Sequence, residues 1–141
     1  MLAKRWMEKV IGVDRVSHGI ILIKLAVSKT MLSVVCVYAL QCGLSDTAKE
    51  QFYDSLISVV SKLSEKEMVV VAGNLNGHVG QYAEGYEGVH GGFGFGDRNA
   101  EGVRVLDFGD AMGMSVVDTA FKKKYCRRKT YQSGDTCNQI D

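Results

Sequence analysis

Three groups of residues in this chain have the types and spacing to do chemistry: a pair of amides at Asn74 and Asn76, a phenol at Tyr38, and a basic run from Lys122 to Lys129. The amides stand in Met68-Val69-Val70-Val71-Ala72-Gly73-Asn74-Leu75-Asn76-Gly77-His78, whose valine-rich first half turns polar at once. The valines predict a strand buried on both faces. Where such a strand gives way to polar residues and glycine, a ligand can reach the backbone. Two residues apart, Asn74 and Asn76 share a face if the chain there is extended. A plain hairpin is the other reading: Asn76-Gly77 is a type I′ turn signal, with His78 and Val79 beginning a return strand.

Gly73-Asn74-Leu75-Asn76-Gly77-His78 resembles the Gly-Asp-Phe-Asn-Gly-His segment of the endonuclease/exonuclease/phosphatase superfamily. The form is that of RTE-class LINE retrotransposon endonucleases and of proteins of the craniofacial development protein 2 type. The longest and most specific likeness to that class runs from Tyr86 to Asn99, Tyr-Glu-Gly-Val-His-Gly-Gly-Phe-Gly-Phe-Gly-Asp-Arg-Asn. Tyr38-Ala39-Leu40-Gln41 is similar to the family's Tyr-Ala-Pro-Gln, with Leu40 replacing the proline that would stiffen the loop. Thr130 to Ser133 and Gln139 to Asp141 resemble its last two strands.

The resemblance implies a Mg²⁺-dependent phosphodiesterase acting on DNA, built as a four-layer α/β sandwich. It implies that Tyr38 reaches the scissile phosphate, that Asn76 positions the attacking water, and that Asp141 orients a catalytic histidine. Arg98 and Asn99 become phosphate or sugar contacts. One departure decides the chemistry. Asn74 stands where the family has the aspartate that handles the water's proton, and an amide cannot take a proton near neutral pH. Loss of a general base alone costs on the order of 10²–10⁴ in rate. The family's metal-binding glutamate precedes the region that Val10 to Val16 resembles, and its histidine follows Asp141. The expectation is a partial sandwich over residues 1–141, truncated at both ends and catalytically inactive, with sheet edges open to a completing partner.

The bulk properties agree with one globular domain: 141 residues, 46% hydrophobic, 23% charged, net charge +1. A near-neutral chain has no global attraction for nucleic acid, so any such binding must be local. The one concentrated patch is Lys122, Lys123, Lys124, Arg127, Arg128 and Lys129, six basic residues in eight. Exposed in a loop it would give salt-sensitive, sequence-blind affinity for phosphates, though a solvated loop or a nuclear-import signal has the same composition. Cys36, Cys42, Cys126 and Cys137 lack zinc-site spacing and read as reduced thiols of an intracellular protein, nuclear or cytoplasmic. No segment is long and apolar enough to span a bilayer, and the N-terminus lacks a signal core.

The elements that must position these groups follow from periodicity. Residues 1 to 9 read as a short amphipathic segment carrying Trp6. Val10 to Val16, Ile20 to Val27 and Met31 to Tyr38 read as an antiparallel meander, with His18 in the first turn. Ser45 to Leu63 reads as a helix with a Thr47–Glu50 capping box and an apolar stripe of Phe52, Leu56, Val59, Val60 and Leu63. The glutamates and lysines between Lys62 and Glu67 read as a solvated rim. Val79 to Asp97 is a glycine-rich loop without P-loop context. A second helix is expected over Glu101 to Met112, capped by Asp97 or Asn99, burying Val103, Leu106 and Ala111 and stopped by Gly113. Ser115 to Thr119 reads as a further strand.

Overall fold

The computed structural model describes residues 3–40, 43–122, 131–133 and 136–138, the last two segments as backbone. The described fold is mixed α/β, with a four-stranded mixed sheet and three α-helices. It divides into two compact units, Met1–Asn74 and Leu75–Asp141, so the boundary falls inside the Gly73–His78 motif.

The first unit opens with α1 (Lys4–Met7), a single turn, followed by the expected meander of β1 (Val10–Arg15), β2 (Ile20–Val27) and β3 (Thr30–Tyr38). β2 and β3 pair without interruption from Ile20↔Val37 to Val27↔Thr30, joined by Ser28-Lys29 with Ser28 left-handed at φ 55°. From β3 the chain crosses through α2 (Asp46–Val60) to β4 (Met68–Asn74), which lies parallel to β3, completing the order β1-β2-β3-β4. Parallel neighbours require such a crossover, and a helix is its usual form. Ser45, not Thr47, caps α2: its side chain accepts from the Ala48 amide at 3.3 Å, which places the helix start ahead of the expected box.

The core of this unit follows from the pleat. Ile20 pairs with Val37 and Leu22 with Val35, all buried, and α2 buries Phe52, Leu56 and Val59. Each such side chain contributes roughly 1.5–3 kcal/mol.

β4 departs from its expected burial. It is the last strand of the described sheet, paired only with β3, and none of its residues is buried; Met68 and Val70 are 60% and 42% exposed. A valine run reports apolar character, whereas burial on two faces also needs cover on both. The hairpin reading fails as well. Residues 75–80 form no strand, and Asn76 is left-handed at φ 51° while Gly77 is not, whereas a type I′ turn needs both. Asn76 therefore leaves the extended conformation on which period-two alternation depends.

In the second unit α3 (Ala100–Ala111) is capped by Asn99 and stopped at Gly113. The Gly113 amide donates to the Asp110 carbonyl at 3.2 Å and the Met114 amide to Gly109 at 2.8 Å, a Schellman ending. Its buried face is Gly102, Val105, Leu106, Phe108 and Gly109, and Val103 and Ala111 are exposed. Val79, Val89, Val105 and Leu106 form the local core, with Leu75, Tyr86 and Val116 packed against it. Ser115 to Thr119 is not a strand. It makes one parallel bridge, Val116 to His90, then a 3₁₀ turn over Val117–Thr119. The Thr119 hydroxyl and amide both donate back to the Val116 carbonyl, at 2.7 and 3.1 Å, which curls the backbone out of extension. β5 (Tyr131–Ser133) and β6 (Thr136–Asn138) form a separate antiparallel pair. Among the described residues no helix is long and apolar enough to cross a membrane.

Candidate functional site

Tyr38 and Asn74 come together because β3 and β4 run parallel. They are register partners at the C-terminal ends of the two strands, and the Ala39 amide extends the pairing by donating to the Asn74 carbonyl at 2.8 Å. The Tyr38 side chain is open to solvent. The residue is 59% exposed, and its backbone amide is held by the Gly19 carbonyl at 2.9 Å. The approach of the two strands depends on Gly73: a Cβ there would lie 1.8 Å from the Val37 carbonyl oxygen, in a backbone conformation that only glycine adopts easily.

Beyond Asn74 the motif turns through Asn76, an asparagine in the left-handed region that this side chain tolerates better than most. Gly77 and His78 then lie backbone to backbone against the first turn of α3. A Cβ on Gly102 would come 1.8 Å from the His78 carbonyl oxygen, so the helix can start there only with glycine.

Asn99 joins these two pieces. Its side-chain oxygen accepts from the Gly102 amide at 2.7 Å and from the His78 amide at 3.0 Å, and its own amide donates to the His78 carbonyl at 3.1 Å. Of the two roles open to Asn99 in the sequence, capping is the one the structure displays. Arg98 is similarly engaged. Its Nε donates to the Val79 carbonyl at 3.0 Å and its terminal nitrogens to Tyr82 at 2.6 Å and Glu84 at 3.1 Å, and the guanidinium lies 5.0 Å from the centre of the Tyr86 ring. The Tyr86 hydroxyl donates to Asp107 of α3 at 2.5 Å, a bond that raises the Tyr86 pKa.

His90 is 2% exposed and braces the loop. Its Nδ1 accepts from the Gly92 amide at 3.0 Å, which leaves Nε2–H to donate to the Gly80 carbonyl at 3.0 Å.

Of the basic run only Lys122 is described, and it is exposed. Lys123, Lys124, Arg127, Arg128, Lys129 and Asp141 lie outside the described residues.

Two polar groups escaped the sequence reading. Lys49 is buried in the first turn of α2 with its amine 4.0 Å from Asp46; its place on the stripe 49–52–56–59 was the available signal. Glu67 belongs to no solvated rim. The fully buried Ser33 donates to it at 2.6 Å and Lys24 pairs with it at 3.3 Å. The Ser33 hydrogen bond foremost, then the Lys24 hydrogen bond and charge, hold the Glu67 carboxyl below its ordinary pKa against the opposing effect of desolvation.

No protein-family model and no curated protein matches the chain.

The donors at the strand ends are a phenol and amides. Mg²⁺ is held in proteins chiefly by carboxylates and water, and among the described residues no three carboxylate, imidazole or thiolate groups lie together. Among the described residues the strand ends therefore offer Mg²⁺ no carboxylate cluster.

Proposed function

We propose that the chain is a degenerate member of the endonuclease/exonuclease/phosphatase superfamily, of the RTE retrotransposon endonuclease type, without phosphodiesterase activity. The supporting observation is the register pairing of Tyr38 with Asn74. Two positions 36 residues apart, matched to the family by separate motifs, meet at one end of adjacent parallel strands, where α/β sheets bind ligands. In this reading the described sheet is one layer of the four-layer sandwich. Tyr38 keeps an exposed hydroxyl, whereas Asn74 can donate or accept a hydrogen bond but cannot take up the proton of an attacking water.

The test is nicking of supercoiled plasmid in Mg²⁺. The expected result is no conversion above buffer; magnesium-dependent nicking that Asn76→Ala abolishes overturns the reading. A second reading, sequence-independent nucleic-acid binding through the basic run, is favoured by the exposure of Lys122 at its head. Arg98 and Asn99 serve the loop and the helix cap, which leaves this run as the main source of phosphate contacts.

A further inference from the structure

We propose that Phe93 and Phe121, with Lys122, form a stacking platform for single-stranded nucleic acid. The proposal rests on the nucleic-acid-binding reading and adds to it the strandedness of the ligand and the residues that select it.

Two chain segments of the second unit run against each other here. The Phe93 amide donates to the Thr119 carbonyl at 3.0 Å, and the Gly91 amide donates to the Thr119 hydroxyl at 2.9 Å. A Cβ on Gly91 would lie 2.5 Å from the Ala120 Cα, so at Gly91 the two backbones meet with no side chain between them. Phe121 is the next residue. Both phenylalanines are nonetheless in water, 39% and 64% exposed. Leaving such side chains out of a core forgoes part of the free energy their burial would contribute. Exposed aromatic rings on touching segments are what a base-stacking surface requires.

The platform is held before any ligand arrives. His90 ties Gly92 to Gly80 through both ring nitrogens, and Val116 donates to Val89 at 2.9 Å on the other segment. Rings on a pinned backbone lose little freedom on binding, so more of the stacking energy appears as affinity.

Charge chooses the partner. Lys122 follows Phe121 directly, is exposed, and heads the sequence's run of six basic residues in eight. Exposed rings followed by a basic run match a ligand that alternates flat bases with phosphates. A duplex offers the phosphates but hides the base faces, so stacking selects the single strand.

The experiment is fluorescence anisotropy of the full chain with a labelled 12-nucleotide single strand and the corresponding duplex, in EDTA at two salt concentrations. EDTA removes any dependence on hydrolysis, so the result is independent of the activity test above. The expected outcome is tighter binding of the single strand, weakened about tenfold by each of Phe93→Leu and Phe121→Leu, with duplex binding unchanged. Leucine keeps the apolar bulk, and Phe121→Trp should restore or improve affinity, so a loss caused by unfolding is recognisable. Equal affinity for single strand and duplex, or indifference to both leucine variants, overturns the platform alone. Absence of binding to either form overturns it together with the nucleic-acid reading, as does capture by anionic phospholipid vesicles in place of the oligonucleotides.

Discussion

Tyr38 and Asn74 sit side by side as register partners at the C-terminal ends of β3 and β4, with the Ala39 amide bonded to the Asn74 carbonyl. The glycine before Asn74 makes that possible, being at φ 150° with its Cα hydrogens against the Val37 carbonyl. Gly73→Ala is therefore expected to cost at least about 1–3 kcal/mol from backbone strain, with the strand clash adding to it. Urea denaturation gives the loss, and the Tyr38 amide resonance should move more than those of β1.

Asn76 separates a backbone role from a chemical one. Its left-handed φ predicts that Asn76→Gly keeps or slightly raises stability, whereas Asn76→Ala loses about 1 kcal/mol. Thermal melts of the two variants check the order; equal destabilisation by both would show that the side chain, not the dihedral, holds this turn.

The three carbonyls around Arg98 make the same distinction for a cation. Arg98→Lys keeps the charge but cannot reproduce a planar fork reaching Val79, Tyr82 and Glu84. It is expected to cost about 1–3 kcal/mol and to speed amide exchange between Val79 and Glu84. Unchanged exchange would mean that these bonds do not order the loop.

Glu67 gives the acid limb of stability a specific source. Its folded pKa lies below the ordinary value, so its contribution is complete at neutral pH, begins to fall near the ordinary glutamate range of about 4.3, and is gone below the folded value. Glu67→Gln should flatten the pH dependence of the melting temperature in that acid window and leave its shape above pH 6 unaltered. Ser33→Ala should act in the same direction, because the Ser33 hydrogen bond is the largest cause of the shift.

Much of this was legible in advance, for reasons that can be named. The meander was readable because β-rich runs and short polar turns alternate from Val10 to Tyr38, and α2 because Phe52, Leu56 and Val59 keep helical spacing. The buried face of α3 was not, because two of its members, Gly102 and Gly109, have no side chain to register as apolar. Close backbone approach, rather than hydrophobicity, put them inside. The resemblance makes Arg98 a phosphate or sugar contact, whereas the carbonyls that engage it leave no trace in residue types. Tyr38 and Asn74 were identified by motif, yet their adjacency needed the parallel pairing, which a sequence reports only indirectly.

β4 leaves a practical consequence. From Met68 to Asn74 it carries no charge and no proline, and it stands at the margin of the described sheet. Such a margin has nothing to repel its own likeness in another molecule. The protein should therefore have a low solubility ceiling, with stored samples turning cloudy at a rate that climbs steeply with concentration. A lysine in place of Val70 should lift that ceiling, and light scattering over days, at graded concentrations, would measure by how much.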